Sequence, residues 1–258
     1  MFADAIKPVV EKPTAIIVAV KELGEADLLV FFLDQRGTLR RGIAKNASKS
    51  KKRFINCLEP LSVVSLSYNQ GRAGLLLTEA QLQMSFQVFR EDPVVMGVGN
   101  LMEELIISFL PENDSHEESF ALTLQALTHI SERKLDPIFV AILWILRLMT
   151  LTGYALLFDR CAICGTDLDR KKRWVWQLDP LRCVCADHYL TGSFKWEWDM
   201  EVLMFLRAVR TMPLAHIWRL RLSSGKLLVL FRNICRWCEF VLQREVKSYR
   251  WLERVMAK

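Results

Sequence analysis

The chain has no internal repeat and no low-complexity tract, and it is poor in glycine and proline, with 11 and 8 in 258 residues. Hydrophobic residues make up 52% beside 25% charged, enough apolar side chain for more than one buried core, so a disordered or fibrous protein is excluded. No Gly-x-x-x-x-Gly-Lys-Ser/Thr loop exists, and Gly97-Val-Gly99 runs on to Met102 without a third glycine, so ATP hydrolysis is not expected. Signatures of catalytic zinc are also missing. His116-Glu-Glu-Ser-Phe120 lacks a second histidine, and no His-x-Glu precedes the cysteines. Met1 to Val10 place Asp4, Lys7 and Pro8 ahead of any apolar run, which gives neither a signal-peptide core nor a lipidation motif. The seven cysteines are odd in number and unevenly clustered, unlike a secreted disulfide framework, so a reducing cytosol is the expected compartment.

Phe139 to Phe158 has the length and apolarity of a bilayer span. Arg147 near its middle, and the lack of aromatic and basic flanks, favour a helix buried in a bundle, so no membrane partner is expected.

From Thr14 to Ala80 the pattern is short and extended. Thr14 to Val20, Ala26 to Leu33, Thr38 to Ala44, Pro60 to Tyr68 and Gly74 to Ala80 are five candidate strands separated by glycine or charge. In the fourth, Val64, Leu66 and Tyr68 alternate with Ser65 and Ser67, apolar on one face and hydroxyl on the other. Such a run suggests a small barrel like the oligonucleotide-binding (OB) fold, or a fragment of a sandwich. Beyond Gln81 the period turns helical. Leu101, Met102, Leu105, Ile106 and Phe109 form a stripe ending at Pro111, with Glu103 and Glu104 turned outward. Pro111 to His116 is an acidic connector, and Phe120 to Ile130 and the apolar run add helices. Residues 161–192 hold a cysteine cluster and 196–258 return to helix, where Leu227 to Leu252 carries a basic outer face. The class is α+β.

Cys161-Ala-Ile-Cys164-Gly165 is followed by Cys185-Ala-Asp-His188. Two donors on a tight knuckle supply one edge of a tetrahedron and a second knuckle supplies the other, which is the pattern of a structural zinc ion; Cys183 competes with Cys185 for the third position. Four protein donors leave no open place for water. Cys235-Arg-Trp-Cys238 lies in a helical stretch and reads as buried packing, and His129 and His216 as packing or surface residues. The second signal is electrostatic. Arg36, Arg40, Arg41, Lys45, Lys49, Lys51, Lys52 and Arg53 stand together with no acidic residue among them. Taking these eight from the net +6 leaves the rest of the chain at −2, so the basic excess is local. On a barrel strand and the loop after it, such cations track a phosphate backbone, and Phe54 is either a stacking or a core residue.

Taken in order, these stretches resemble the RecO recombination mediators of bacteria. The likeness runs through Ala15-Ile-Ile-Val18, Gly24-Glu-Ala-Asp27, Gly37, Gly42, Ser50 to Arg53 and Leu58-Glu-Pro60. It continues through Glu103-Glu-Leu105, Leu110-Pro-Glu112, Leu146, Gly153-Tyr154, Cys161-Ala-Ile-Cys164-Gly165, Lys247-Ser248 and Trp251-Leu252. The resemblance implies an OB-fold barrel in residues 1–81, a helical domain in 82–160 and 193–258, and a zinc-ribbon-like insertion in 161–192. It implies binding of single- and double-stranded DNA, annealing of complementary strands and contact with the acidic C-terminal tail of single-stranded-DNA-binding protein. It also implies cooperation with RecR in loading RecA, and no enzymatic activity. For the tail, the helical part offers Arg133, Lys134, Arg147 and Arg160, although Arg147 is equally placed to satisfy a helix end or a buried carboxylate. The chain departs from the family pattern at the second knuckle, where Leu181-Arg182 replace a glycine pair and His188 the last cysteine. Two other classes of function share these features: a zinc-dependent hydrolase or nuclease acting on nucleic acid, and a general RNA-binding module.

Overall fold

The computed structural model describes residues 13–50, 52–71, 74–168, 174–178, 181–188 and 195–257. They form two compact units, one of residues 1–86 with 110–120 and one of 87–109 with 121–258.

In the first unit five strands, β1 (Thr14–Leu23), β2 (Asp27–Asp34), β3 (Leu39–Ala44), β4 (Val63–Gly71) and β5 (Gly74–Met84), close into a barrel of order β1-β2-β3-β5-β4. β3 and β5 run parallel and the other neighbours antiparallel, the arrangement of an OB-fold barrel. Period-two alternation explains which side chains meet inside. Ala15 and Ile17, Val30 and Phe32, and Val64 and Leu66 point into one core, which Phe54, Cys57, Leu77 and Ala80 complete. Gly42 makes the parallel closure possible, since a Cβ there would stand 2.8 Å from Leu77 Cδ2 and 3.2 Å from Leu75 Cβ. The acidic connector after Leu110 belongs to this unit and pairs with the start of β3 and the residue before it through bridges Leu39–Glu112 and Thr38–Ser115.

The second unit contains α1 (Val88–Glu91), α2 (Pro93–Phe109), α4 (Pro137–Leu151), α5 (Met200–Thr211), α6 (Leu214–Ile217), α7 (Ser224–Leu242) and α8 (Lys247–Met256), with most of α3 (Glu118–Ser131). α4 is the apolar run. Asp136 caps it by accepting from the amides of Ile138 and Phe139, Pro137 opens its first turn, and every residue from Ile138 to Met149 is buried. Among the described residues no helix is long and apolar enough to cross a membrane. Between α4 and α5 a small antiparallel sheet forms from β6 (Trp174–Leu178), β7 (Leu181–Cys185) and β8 (Lys195–Trp198), in the order β7-β6-β8. Its third strand falls in a stretch expected to be part of the helical domain.

Glu103 and Glu104 do not both face solvent as helical periodicity suggests; both are partly buried. Glu104 turns toward α8, where its carboxylate accepts from the amides of Lys247 and Ser248, the Ser248 hydroxyl and Arg244. Cys235 and Cys238 are buried thiols of α7, and His129 packs its ring 4.8 Å from that of Trp218.

Candidate nucleic-acid interface and metal site

On the β2–β3 side of the barrel lies a groove of about 450 Å³, bordered by Leu23 at the end of β1 and by Gln70 and Gly74 at the β4–β5 tip. This is the face on which OB folds receive oligonucleotides. Leu29, Ile43 and Leu75 give it an apolar floor, and Arg40 and Arg41 bring cations to it. β3 delivers the two arginines to different partners. Arg40 Nε donates to Asp34 Oδ2 at 2.8 Å, while Arg41 Nε lies 3.0 Å from Glu112 Oε2. Asp34 is buried and also accepts from the amides of Arg36 and Thr38, so one carboxylate shapes the β2–β3 turn and fixes Arg40.

The loop after β3 is laced to the β1–β2 turn. The Asn46 amide donates to Asp27 Oδ1 at 2.7 Å, and the Ser48 amide and hydroxyl donate to Ala26 O. Lys45 and Lys49 therefore project from a segment tied to one border of the groove, and both are exposed, as are Arg36 and Lys52. Arg53 reaches back, its Nη2 donating to Lys45 O at 2.8 Å while its guanidinium lies 5.2 Å from the centroid of the Phe54 ring. Lys51 lies outside the described residues. Phe54 is a core residue, 5% exposed, so it offers no platform for a base. Cations over aliphatic floor suit a strand held by its phosphates with little regard to sequence. Sequence reasoning found the cations and missed the groove's floor and Gln70, because strand alternation does not say which outward residues a tip and a turn enclose.

The Cys/His cluster is assembled by two local structures. After α4 the chain turns at Cys161–Gly165, where the Gly165 amide donates to Cys161 O and Gly165 takes φ +68°, the left-handed region that suits glycine. The second knuckle is the end of β7 and the single 3-10 turn Ala186–His188. The donor atoms of Cys161, Cys164, Cys185 and His188 all lie within 4.8 Å of one another. Cys185 Sγ stands 3.1 Å from His188 Nδ1 and 3.9 Å from Cys164 Sγ, and Cys161 Sγ stands 3.9 Å from His188 Nδ1. A tetrahedral ion with Zn–S of about 2.3 Å needs sulfur–sulfur edges of roughly 3.8 Å, so three thiolates and one imidazole here fit zinc. Burial works against the Cys161 thiolate, yet amide donors from Cys164, Cys185 and Ile163 outweigh it and lower the thiol to about 7. Cys183, the competing ligand, is outside the cluster; burial and neighbouring thiolates push it up to about 12.

The four cations named for an acidic tail have separate settings. Arg147 is buried, and its Nη1 donates to Val209 O, Arg210 O and Met212 O, satisfying the C-terminal carbonyls of α5. The helix-end alternative foreseen for it is therefore realised. Lys134 pairs with Glu132 at 2.6 Å, and Arg133 is exposed with φ +52° after α3. Arg160 is exposed and lines a cleft of about 470 Å³ with Ala155, Leu157, Asp159, Ala162, Trp176 and Cys183, in which Leu157 is 64% exposed.

Comparison with known proteins covers both units. The family described as "Recombination protein O N terminal" matches residues 10–86, and "Recombination protein O C terminal" matches 90–250. Among curated relatives, the DNA repair protein RecO of Syntrophobacter fumaroxidans is 33% identical over 240 residues, 93% of this chain and 96% of that protein. The DNA repair protein RecO of Bifidobacterium animalis subsp. lactis is 29% identical over 243 residues, 93% and 97% of the two chains. That of Desulfatibacillum aliphaticivorans is 36% identical over 159 residues, 60% and 62%.

Proposed function

Since the chain belongs to the RecO family of DNA repair proteins, we propose that it acts as a recombination mediator: it binds single- and double-stranded DNA and anneals complementary strands. With RecR it helps RecA load onto DNA coated by single-stranded-DNA-binding protein. The observation that carries this reading is the groove on the β2–β3 face lined by Arg40 and Arg41, together with the exposed Lys45 and Lys49 on the loop tied to the β1–β2 turn. Two DNA strands repel through their phosphates, and cations held at fixed spacing lower that repulsion and release counterions, so pairing needs no fuel. The barrel is the DNA-binding domain in this scheme, the helices recruit partners, and the insertion stiffens the region around its knuckles.

Cys161, Cys164, Cys185 and His188 would hold one zinc ion, whose role there is to cross-link two knuckles. Four protein donors fill a tetrahedral shell, which favours a structural site over the rival hydrolase or nuclease, and the protein is proposed to have no catalytic activity. For the acidic tail of single-stranded-DNA-binding protein, the cleft at Arg160 is the candidate seat: an apolar wall of Ala155, Leu157 and Trp176 stands beside that cation, and the one carboxylate in the lining, Asp159, is paired with Arg210. The proposed place of action is the bacterial cytoplasm, on the nucleoid.

Replacing Lys45, Lys49 and Lys52 together by Ala tests the DNA footprint. The slope of log affinity for single-stranded DNA against log salt should flatten by roughly 0.7 for each phosphate no longer neutralised. An unchanged slope would remove this loop from the interface. A preference for RNA at matched salt would favour the RNA-binding module instead.

A further inference from the structure

The groove on the β2–β3 face is not lined by the barrel strands alone. β5 pairs with β3 only from Gly42 onward, and the connector lies along the earlier half of β3. The Asn113 amide donates to Leu39 O at 2.9 Å, the His116 amide to Gly37 O at 3.1 Å and Ser115 Oγ to Arg36 O at 2.8 Å. Gly37 makes the seat close: its φ is +72°, and a Cβ there would fall 1.9 Å from His116 O. All these bonds are made by backbone or by neighbours of Glu112. None depends on the Glu112 side chain.

That side chain nevertheless enters the basic groove. Its Oε2 lies 3.0 Å from Arg41 Nε, with the Arg41 side chain 59% exposed and that of Glu112 35%. A carboxylate oxygen at this distance from a guanidinium occupies the place a phosphate oxygen would take. We infer that Glu112 is an internal stand-in for a backbone phosphate, a residue that sets affinity and exchange of nucleic acid at Arg41; the inference rests on the DNA-binding reading above. An arriving strand displaces the carboxylate, and a departing strand is followed by its return, so Arg41 exchanges one anion for another. Affinity is lowered and release is eased, which suits a protein whose product, a duplex, has to leave. A lone phosphate gains little by evicting Glu112. A polynucleotide, held by several other cations, bears that cost easily.

The test is a double-mutant cycle read by salt titration and dissociation of a labelled single-stranded oligonucleotide. Glu112→Gln keeps the size of the side chain and every backbone bond of the connector. It should bind roughly two- to fivefold tighter at low salt, as expected for one exposed ion pair removed. Its salt slope should steepen by about 0.7, and dissociation should slow in proportion. In an Arg41→Ala background the same substitution should change none of the three. Unchanged or weaker binding by Glu112→Gln overturns the inference. So does an equal gain in both backgrounds, which would make Glu112 a diffuse negative charge. Failure of the unsubstituted protein to bind DNA would instead overturn the DNA-binding reading itself, and this inference with it.

Discussion

Glu103 and Glu104 are neighbours on α2, about 100° apart around the helix, and the fold treats them oppositely. Burial also opposes the Glu104 carboxylate, but donors from Ser248, Arg244 and Lys247 outweigh it and hold its pKa below the usual carboxylate range. Glu103 has burial alone to reckon with, and its pKa rises from 4.5 to about 7. The consequences for stability have opposite signs. Glu103 is protonated in both folded and unfolded chains below about pH 4.5, so nothing is lost there; as pH climbs toward 7 the unfolded chain ionises and the folded one resists. Between those values it costs stability, up to on the order of 3 kcal/mol above pH 7. Glu103→Gln should therefore raise the denaturant midpoint at pH 8 and leave it nearly unchanged at pH 4.5. An equal effect at both pH values would contradict the burial of this carboxyl. Helical periodicity could not separate these two residues, because their fates depend on Ser248 and other groups far along the chain.

At the scale of elements, α8 shows why distant stretches belong together. Its N-cap, Val246, has no side-chain acceptor, and Glu104 of α2 supplies one from outside by accepting from the first amides of the helix. Gly97 of α2 lets α8 approach closely, since a Cβ there would come within 2.6 Å of Leu252 Cδ1 and 2.8 Å of the Trp251 ring. Two of the motifs that carry the family resemblance, Glu103-Glu-Leu105 and Lys247-Ser248, thus meet in one junction. The strands were legible in the sequence because alternation and turn residues are local: Val64, Leu66 and Tyr68 face the barrel core as their spacing implies. The knuckles were legible by spacing, but the choice between Cys183 and Cys185 was not. Both lie on the same face of β7, and only the turn after it brings His188 within 3.1 Å of Cys185 Sγ. Purified protein should contain about one zinc per chain. Cys185→Ser should lose it and Cys183→Ser should keep it, as read by metal analysis; the reverse outcome would contradict the assigned ligand set.

For the whole molecule, the sequence left a barrel and a sandwich fragment both open. Closure depends on the β1–β4 and β3–β5 pairings between strands that are not neighbours in the chain, and Gly42 records one of them only as a missing side chain. The groove was likewise invisible, because it joins outward residues of all five strands, brought together only by barrel closure, to a connector beyond them. What the sequence did show was charge: eight cations without an acid between them, in a chain otherwise at −2. The fold brings two of these cations, Arg40 and Arg41, into an OB-type groove and adds one carboxylate, Glu112, from the connector. The central claim is that this charged barrel brings repelling strands together without fuel. The most direct measurement is the rate at which complementary strands coated with single-stranded-DNA-binding protein pair when this protein is added without nucleotide. The account predicts faster pairing that fades as salt is raised and is lost when Lys45, Lys49 and Lys52 are replaced by Ala. Strands that stay apart at low salt with the unsubstituted protein would contradict it.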